Sequence, residues 1–106
     1  MGLIDRGDVF DAELPGLGVR PVVVVTRQAI ISVLTSVTVA HVTSTIRGIP
    51  TEVEVGASDG LEYDCVVNCD NLNTIPKRRL NGRRGRLGPD RILALDQALA
   101  LSLGLG

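Results

Sequence analysis

Aromatic residues are nearly absent from this chain of 106 residues, which contains one phenylalanine, one tyrosine and no tryptophan. A hydrophobic core must therefore be built from valine, leucine, isoleucine and alanine, and the many β-branched side chains favour strands. The length suits one compact domain, so residues 1–106 are interpreted as a single domain. A small chain with so few large rings can bury further apolar surface by forming a dimer.

Cysteine, histidine and long apolar runs are also scarce, and each shortage excludes a class of protein. Cys65 and Cys69 lie four residues apart in a predicted strand, so their Cα atoms are about 13 Å apart at ~3.3 Å per residue. A disulfide needs less than about 7 Å, and we therefore expect reduced thiols in a cytoplasmic protein. His41 is the only histidine, which leaves too few ligands for a metal site. No apolar run reaches the roughly 18 residues that a membrane span requires.

Charge is balanced overall but unevenly distributed along the chain. The formal net charge is −1, which argues against general coating of nucleic acid. Acids crowd the N-terminal end, and a basic segment without any acid lies between Asp70 and Asp90. This segment can bind a polyanion or an acidic protein partner, and a solvated mobile loop is an equally open interpretation. Its basic residues are Lys77, Arg78, Arg79, Arg83, Arg84 and Arg86.

Alternating apolar and polar residues predict a mostly antiparallel sheet of about five or six strands. Pro76 is expected to end the sheet. Pro89, followed by Asp90, predicts the start of a C-terminal helix that is apolar over more than one side, so part of it could face a second subunit. One helical face carries Ile92, Leu95, Leu99 and Leu103. The predicted strands cover residues 6–14, 20–26, 33–43, 51–55 and 64–68, with 72–75 continuing the last strand after a bulge.

An arginine and a proline stand between a glycine turn and a run of valines, in the segment Gly18-Val19-Arg20-Pro21-Val22-Val23. The valine run, residues 22–25, is typical of a strand that is buried on both faces. A guanidinium held at the mouth of such a rigid strand can bind a phosphate through two parallel hydrogen bonds. An ordinary solvated arginine at the start of a strand is the alternative interpretation.

Several short motifs occur together in a defined order. They are Arg6-Gly7-Asp8-Val9-Phe10-Asp11, Gly18-Val19-Arg20-Pro21, Thr43-Ser44-Thr45, Pro50-Thr51-Glu52-Val53, and Asn68-Cys69-Asp70-Asn71 followed by Thr74-Ile75-Pro76-Lys77. In this order and spacing they resemble the MazF/PemK family of bacterial toxin endoribonucleases, and the resemblance covers nearly the whole chain.

The resemblance implies a fold, an activity and partners. The implied fold is α+β and mostly β, an SH3-like barrel of antiparallel strands with a C-terminal helix. The implied activity is metal-independent cleavage of single-stranded RNA, without a cofactor, by a homodimer in the bacterial cytoplasm. The implied partner is a cognate antitoxin, acidic and partly disordered, that covers the RNA groove.

The family's functional positions fall on named residues of this chain. Arg20 matches the arginine before the proline and would neutralise the scissile phosphate, while Thr43 would hold a phosphate oxygen or the 2′-hydroxyl. Asp70 matches an acid that some members use as general base, although Asn68 replaces an arginine found two residues before it in some branches. The predicted RNA-binding residues are Ser44, Thr45, Arg47 and Asn71, and the predicted antitoxin-binding residues are Lys77, Arg78, Arg79, Arg83 and Arg84.

His41 is a second candidate for the general base, because imidazole titrates near neutral pH. By parity it lies on the same strand face as Thr43. A lone strand histidine is more often structural, so the identity of the base stays open at this point.

Two other functions are compatible with a small barrel. One is a toxin without enzymatic activity that inhibits a protein such as DNA gyrase, but this chain retains Arg20 and Thr43 and has no aromatic anchor near its C-terminus. The other is an SH3-like adaptor, which would line its groove with aromatics, whereas this chain has only Phe10 and Tyr63.

Overall fold

Within residues 3–105, which the computed structural model describes, six antiparallel strands form a curled half-barrel with a C-terminal helix. The strand order across the sheet is β4-β5-β3-β2-β1-β6. No helix in this described range is long and apolar enough to cross a membrane. The elements are β1 (Asp8–Leu14), β2 (Gly18–Val24), α1 (Gln28–Ile31), β3 (Ser36–Thr43), β4 (Glu52–Val55), β5 (Cys65–Pro76), β6 (Leu80–Arg86) and α2 (Pro89–Ser102), with 3₁₀ turns at Ala57–Asp59 and Lys77–Arg79.

The valine run of β2 lies at the centre of the molecule and is buried on both faces, as predicted. Val22 and Val24 point into one apolar cluster, which also contains Phe10. Val23 points into a second cluster, where α2 contributes Leu95 and other side chains. Because both faces are covered, the start of β2 and the residues just before it are held on a rigid support.

The predicted C-terminal helix is confirmed, and it begins with Pro89 at its first turn after Gly88. Leu95 and Leu99 are buried against the sheet, as the helical pattern predicts. Leu103 lies beyond the end of the helix and is 56% exposed, so the predicted helical face does not extend to it. The helix covers one side of the sheet and does not cover the first residues of β2.

Strand β5 contains the predicted bulge. Ala40 of β3 stands opposite Leu72, whereas the next residue, His41, stands opposite Asn68. Residues 69–71 are therefore extra in β5 and have no partner in the β3 ladder. A bulge of this kind redirects side chains and interrupts the two-residue alternation of the strand.

The prediction that Pro76 ends the sheet is wrong, and so is the interpretation of the basic segment as a mobile loop. After a short 3₁₀ turn the chain forms β6, which pairs with β1 at one edge of the sheet. Asp8 stands opposite Arg86 and Phe10 opposite Arg83, with irregular pairing between them. Glycine and asparagine, which this segment contains, are depleted in strands, so tertiary pairing decides its conformation.

Ion pairs join β6 to the acidic N-terminal end. Asp8 is fully buried, and its Oδ1 accepts a hydrogen bond from Arg86 Nε at 2.9 Å and lies 3.4 Å from Arg83 Nε. Arg84 Nη1 lies 3.2 Å from Asp11 Oδ1. These bonds hold the edge strand in place and neutralise arginines that the sequence suggested were free to bind a partner.

Candidate active site

A cavity of about 300 Å³ opens where the first residues of β2 meet the last residues of β3. Five of the seven residues that were predicted from the sequence to be catalytic or RNA-binding line this cavity. These five are Arg20, Thr43, Thr45, Arg47 and Asn71, and the cavity is also lined by Leu17, His41, Val42 and Asn68. Ser44 and Asp70 are not among its lining residues.

Strand register brings Arg20 and Thr43 to the same place. Val22 of β2 pairs with His41 of β3, and the same antiparallel register extended by two residues sets Arg20 opposite Thr43. Both residues also share the face of their strands that carries Val22, because side chains alternate along a strand. The arginine and the hydroxyl are therefore neighbours across the two strands.

The guanidinium of Arg20 is exposed and available to a ligand. Its Nε donates a hydrogen bond to the carbonyl oxygen of Leu17 at 3.1 Å, which orients the group. Among residues 3–105, no carboxylate lies within ion-pair distance of Arg20. Its terminal N–H groups can therefore bind an anion in bidentate fashion.

The hydroxyl oxygen of Thr43 is held by a hydrogen bond from the backbone. Its oxygen accepts a hydrogen bond from the backbone N–H of Thr45 at 3.1 Å. An oxygen that accepts this bond keeps its own O–H to donate elsewhere. Thr43 can therefore donate to a phosphate oxygen that is bound by Arg20.

The loop after β3 is held by a carboxylate that lies outside the cavity. Glu52 Oε1 accepts hydrogen bonds from the backbone N–H groups of Arg47 at 3.0 Å and Gly48 at 2.9 Å. This arrangement keeps Arg47 at the rim. The described residues that line the cavity include two arginines and no acid, so its potential favours an anion.

Asp70 lies in the β5 bulge and does not line the cavity. The Thr51 hydroxyl donates a hydrogen bond to Asp70 Oδ2 at 2.6 Å, and this bond lowers the pKa of the Asp70 carboxyl. A lower pKa makes the carboxylate a weaker base. The predicted catalytic role of Asp70 stays a prediction, and neither its position nor its basicity favours it.

His41 lies on the wall of the cavity between β2 and β5. Its Nε2 is 2.5 Å from Oδ1 of Asn73, a contact that sequence reasoning missed. No local pattern in the sequence indicated this contact, because the bulge decides which residues of β5 lie beside His41. Asn68, noted only as a replacement for an arginine, also lines the cavity.

The cysteines are buried and form no disulfide in the described part of the chain, as predicted. Burial, together with the nearby Asp70 charge, raises the pKa of the Cys69 thiol to about 11, and burial also raises that of Cys65. Neither thiol is therefore activated as a nucleophile. No group of three or more His, Cys, Asp or Glu residues with metal-binding geometry occurs within residues 3–105.

Comparison with known proteins agrees with the fold described above. Residues 5–103 match the model of the family described as PemK-like, MazF-like toxin of type II toxin-antitoxin system. The chain belongs to this family.

Relatives of this toxin family are similar over most of their length. Endoribonuclease MazF3 of Mycobacterium tuberculosis is 44% identical over 85 residues, which are 80% of this chain and 79% of that protein. The solved Mycobacterium tuberculosis toxin MazF-mt6 has a TM-score of 0.86 and 39% identity, covering 93% of this chain and 98% of its own. A mycobacterial endoribonuclease solved in complex with its cognate antitoxin has a TM-score of 0.88 and 35% identity, covering 98% of each chain.

The basic residues predicted to bind an antitoxin differ in their surroundings in this MazF-like toxin. Arg83 and Arg84 form ion pairs with acids of the same chain, and Lys77 Nζ donates a hydrogen bond to the carbonyl oxygen of Ile31. Within the described range, Arg78 and Arg79 form no ion pair. Their charges are therefore not compensated by an acid of the described residues, and Arg78 is also exposed.

Proposed function

We propose that this chain is a toxin endoribonuclease that cleaves single-stranded RNA at short sequence motifs without a metal ion. The observation that carries the proposal is the meeting of Arg20 and Thr43 in a cationic cavity, on the fold of the MazF-like toxins. The names of the relatives support the same reaction, because they are described as endoribonucleases. We expect the site of action to be the bacterial cytoplasm, where messenger RNA is available.

The proposed reaction uses the ribose 2′-hydroxyl as its nucleophile, so that RNA is cut and DNA is spared. Attack of O2′ on phosphorus builds additional negative charge on the phosphate oxygens. Arg20 neutralises this charge through bidentate hydrogen bonds to the two non-bridging oxygens, and Thr43 donates its O–H to one of them. The bond from phosphorus to O5′ then breaks, leaving a 2′,3′-cyclic phosphate and a 5′-hydroxyl.

The neighbouring polar residues would hold the nucleotides on either side of the cut. Arg47 and Thr45 lie at the rim of the cavity and can bind adjacent phosphates or base edges. Asn71 can read a base edge through its amide group. Ser44 is exposed just outside the cavity and would contact RNA only beyond the scissile phosphate.

A cognate antitoxin that is acidic and partly disordered is the proposed partner. An extended acidic segment could cover the cavity beside Arg20 and Arg47 and continue to Arg78 and Arg79. The proposed toxin is a homodimer, and exposed leucines on and after α2 support a second apolar surface. These are Leu93, Leu101 and Leu103.

Incubation of the purified chain with a mixed RNA pool tests the proposal. We expect cuts at a recurring short motif, 2′,3′-cyclic phosphate ends, and full activity in excess chelator. The matching DNA pool serves as the control and should stay intact. A strict magnesium requirement, or inhibition of DNA gyrase without any RNA cleavage, would contradict the proposal.

Replacement of Thr43 by valine should slow cleavage about 100-fold, because a hydrogen bond made to the developing charge is worth roughly 2.7–4 kcal/mol. The change keeps the shape of the side chain and removes only the hydroxyl. Single-turnover rates on an oligonucleotide that contains the mapped motif measure the effect. Thr74→Val is the matched control, since Thr74 bonds Thr38 elsewhere on the sheet, and it should keep the normal rate.

A further inference from the structure

His41 is the only imidazole of the chain, and it lines the same cavity as Arg20 and Thr43. It precedes Thr43 by two residues on β3, so the two Cα atoms lie about 6.6 Å apart on one face of the strand, at ~3.3 Å per residue. At this separation both side chains can contact the same nucleotide bound in the cavity.

The orientation of the imidazole is fixed by one hydrogen bond. Its Nε2 lies 2.5 Å from Oδ1 of Asn73, and an amide oxygen can only accept a hydrogen bond. Nε2 therefore carries a proton, and Nδ1 is the nitrogen that can take up another. Because Nε2 is occupied, Nδ1 is left for a ligand in the cavity.

On the side of His41 that faces the cavity, all of the charged side chains are cationic. Arg20 lies near the start of β2, Arg47 lies in the loop after β3, and β5 presents the neutral amides of Asn68, Asn71 and Asn73. The one nearby acid of β5, Asp70, is bonded to Thr51 and does not line the cavity. Among the lining side chains, His41 is thus the one whose chemistry allows it to act as a Brønsted base.

We infer that His41 is the general base of this toxin, with Asn73 as the residue that positions it. This inference rests on the proposed ribonuclease function. His41 Nδ1 takes the proton of the 2′-hydroxyl as the bond from O2′ to phosphorus forms. The bond to O5′ breaks, water protonates the departing O5′, and His41 later releases its proton to solvent.

The first test is His41→Gln, measured on an oligonucleotide that contains the cleavage motif mapped with the mixed pool. We expect kcat/KM to fall by about 10²–10⁴-fold, as for loss of a general base. Affinity for the same oligonucleotide with a 2′-deoxy sugar at the cut should change less than about threefold. The unaltered toxin should gain activity through one inflection as pH rises, and the variant should lack that inflection.

A second variant keeps the inference testable even if His41→Gln folds poorly. Asn73→Asp retains the oxygen that accepts the Nε2 proton but adds a negative charge, which stabilises the imidazolium. The variant should stay active, with its inflection moved to higher pH. Asn73→Ala should lose activity and show a broader pH–activity profile, because no hydrogen bond orients the imidazole ring.

The outcomes separate this inference from the proposed function. If Arg20→Ala abolishes cleavage while His41→Gln cleaves within about threefold of normal, the ribonuclease assignment stands and His41 is not the base. An unchanged pH inflection in both His41→Gln and Asn73→Asp would overturn the inference in the same way. A substrate with sulfur in place of O5′ should not rescue His41→Gln, whereas rescue would make His41 the general acid instead.

Discussion

Replacement of Arg20 by alanine is expected to abolish RNA cleavage while the protein stays folded. The guanidinium is exposed and forms no ion pair within the described residues, so its loss leaves no buried charge behind. The hydrogen bond that the side chain does form, to the Leu17 carbonyl oxygen, lies at the exposed surface. Loss of the main cation at the phosphate should lower the rate at least 10²–10³-fold. Single-turnover cleavage of the mapped oligonucleotide and a circular dichroism spectrum check both expectations.

Two further variants make the Arg20 experiment specific. Arg20→Lys keeps the charge but loses the planar pair of donors, so we expect an intermediate rate. Arg27→Ala removes another exposed arginine, just before α1 and outside the cavity, and should cleave normally. Wild-type cleavage by a folded Arg20→Ala protein would show that the cavity beside Thr43 is not the active site.

Replacement of Asp8 by asparagine should destabilise the fold strongly, because it leaves two arginines without their buried counter-charge. Asp8 is fully buried and accepts hydrogen bonds from the Asp5 backbone N–H at 2.8 Å and from Arg86 Nε at 2.9 Å. Asparagine keeps the volume but removes the charge that faces Arg83 and Arg86. We expect the free energy of unfolding to fall by about 3 kcal/mol, a decrease in Tm of roughly 15 °C for a chain of this size.

Asp11→Asn is the matched control for Asp8. Asp11 also pairs with an arginine of β6, but a third of its side chain is exposed, so water screens the pair. The free energy of unfolding should therefore fall by less than about 1 kcal/mol in Asp11→Asn. If thermal or urea unfolding gave equal decreases in the free energy of unfolding for the two variants, burial of Asp8 would add nothing to the stability of the sheet.

The core of the sheet could be predicted from the sequence, because its signals are local. The valine run of β2 predicted burial on both faces, and Val22 and Val23 indeed enter opposite clusters. In β3, strict alternation placed Val39 on one face and Ala40 on the other. Hydrophobic periodicity reports on these features directly, so no knowledge of distant contacts is needed.

Strand β6 could not be predicted, because its cause lies far away in the sequence. Residues 80–86 contain two glycines and an asparagine, which are depleted in strands, together with three arginines. They form a strand because β1 offers both an unpaired edge and the acids Asp8 and Asp11. Local sequence patterns do not indicate pairing with a strand that lies some 70 residues earlier.

The site was predictable where strands are regular and unpredictable at the bulge. Arg20 and Thr43 meet because β2 and β3 keep one register, and alternation along each strand predicts the face on which each side chain lies. Asp70 lies within an insertion, residues 69–71, that breaks the rule relating position to face. The direction of Asp70 and the contact between His41 and Asn73 therefore required the three-dimensional structure.

Burial of Asp8 has a consequence for how the toxin is made. Its charge is compensated by Arg86, which lies 78 residues further along the chain. A nascent polypeptide cannot close the sheet until that arginine has left the ribosome, because a buried carboxylate without its partner is strongly unfavourable. The protein therefore folds, and becomes toxic, only late in translation. Chains that end before β6 should be harmless to the cell that makes them.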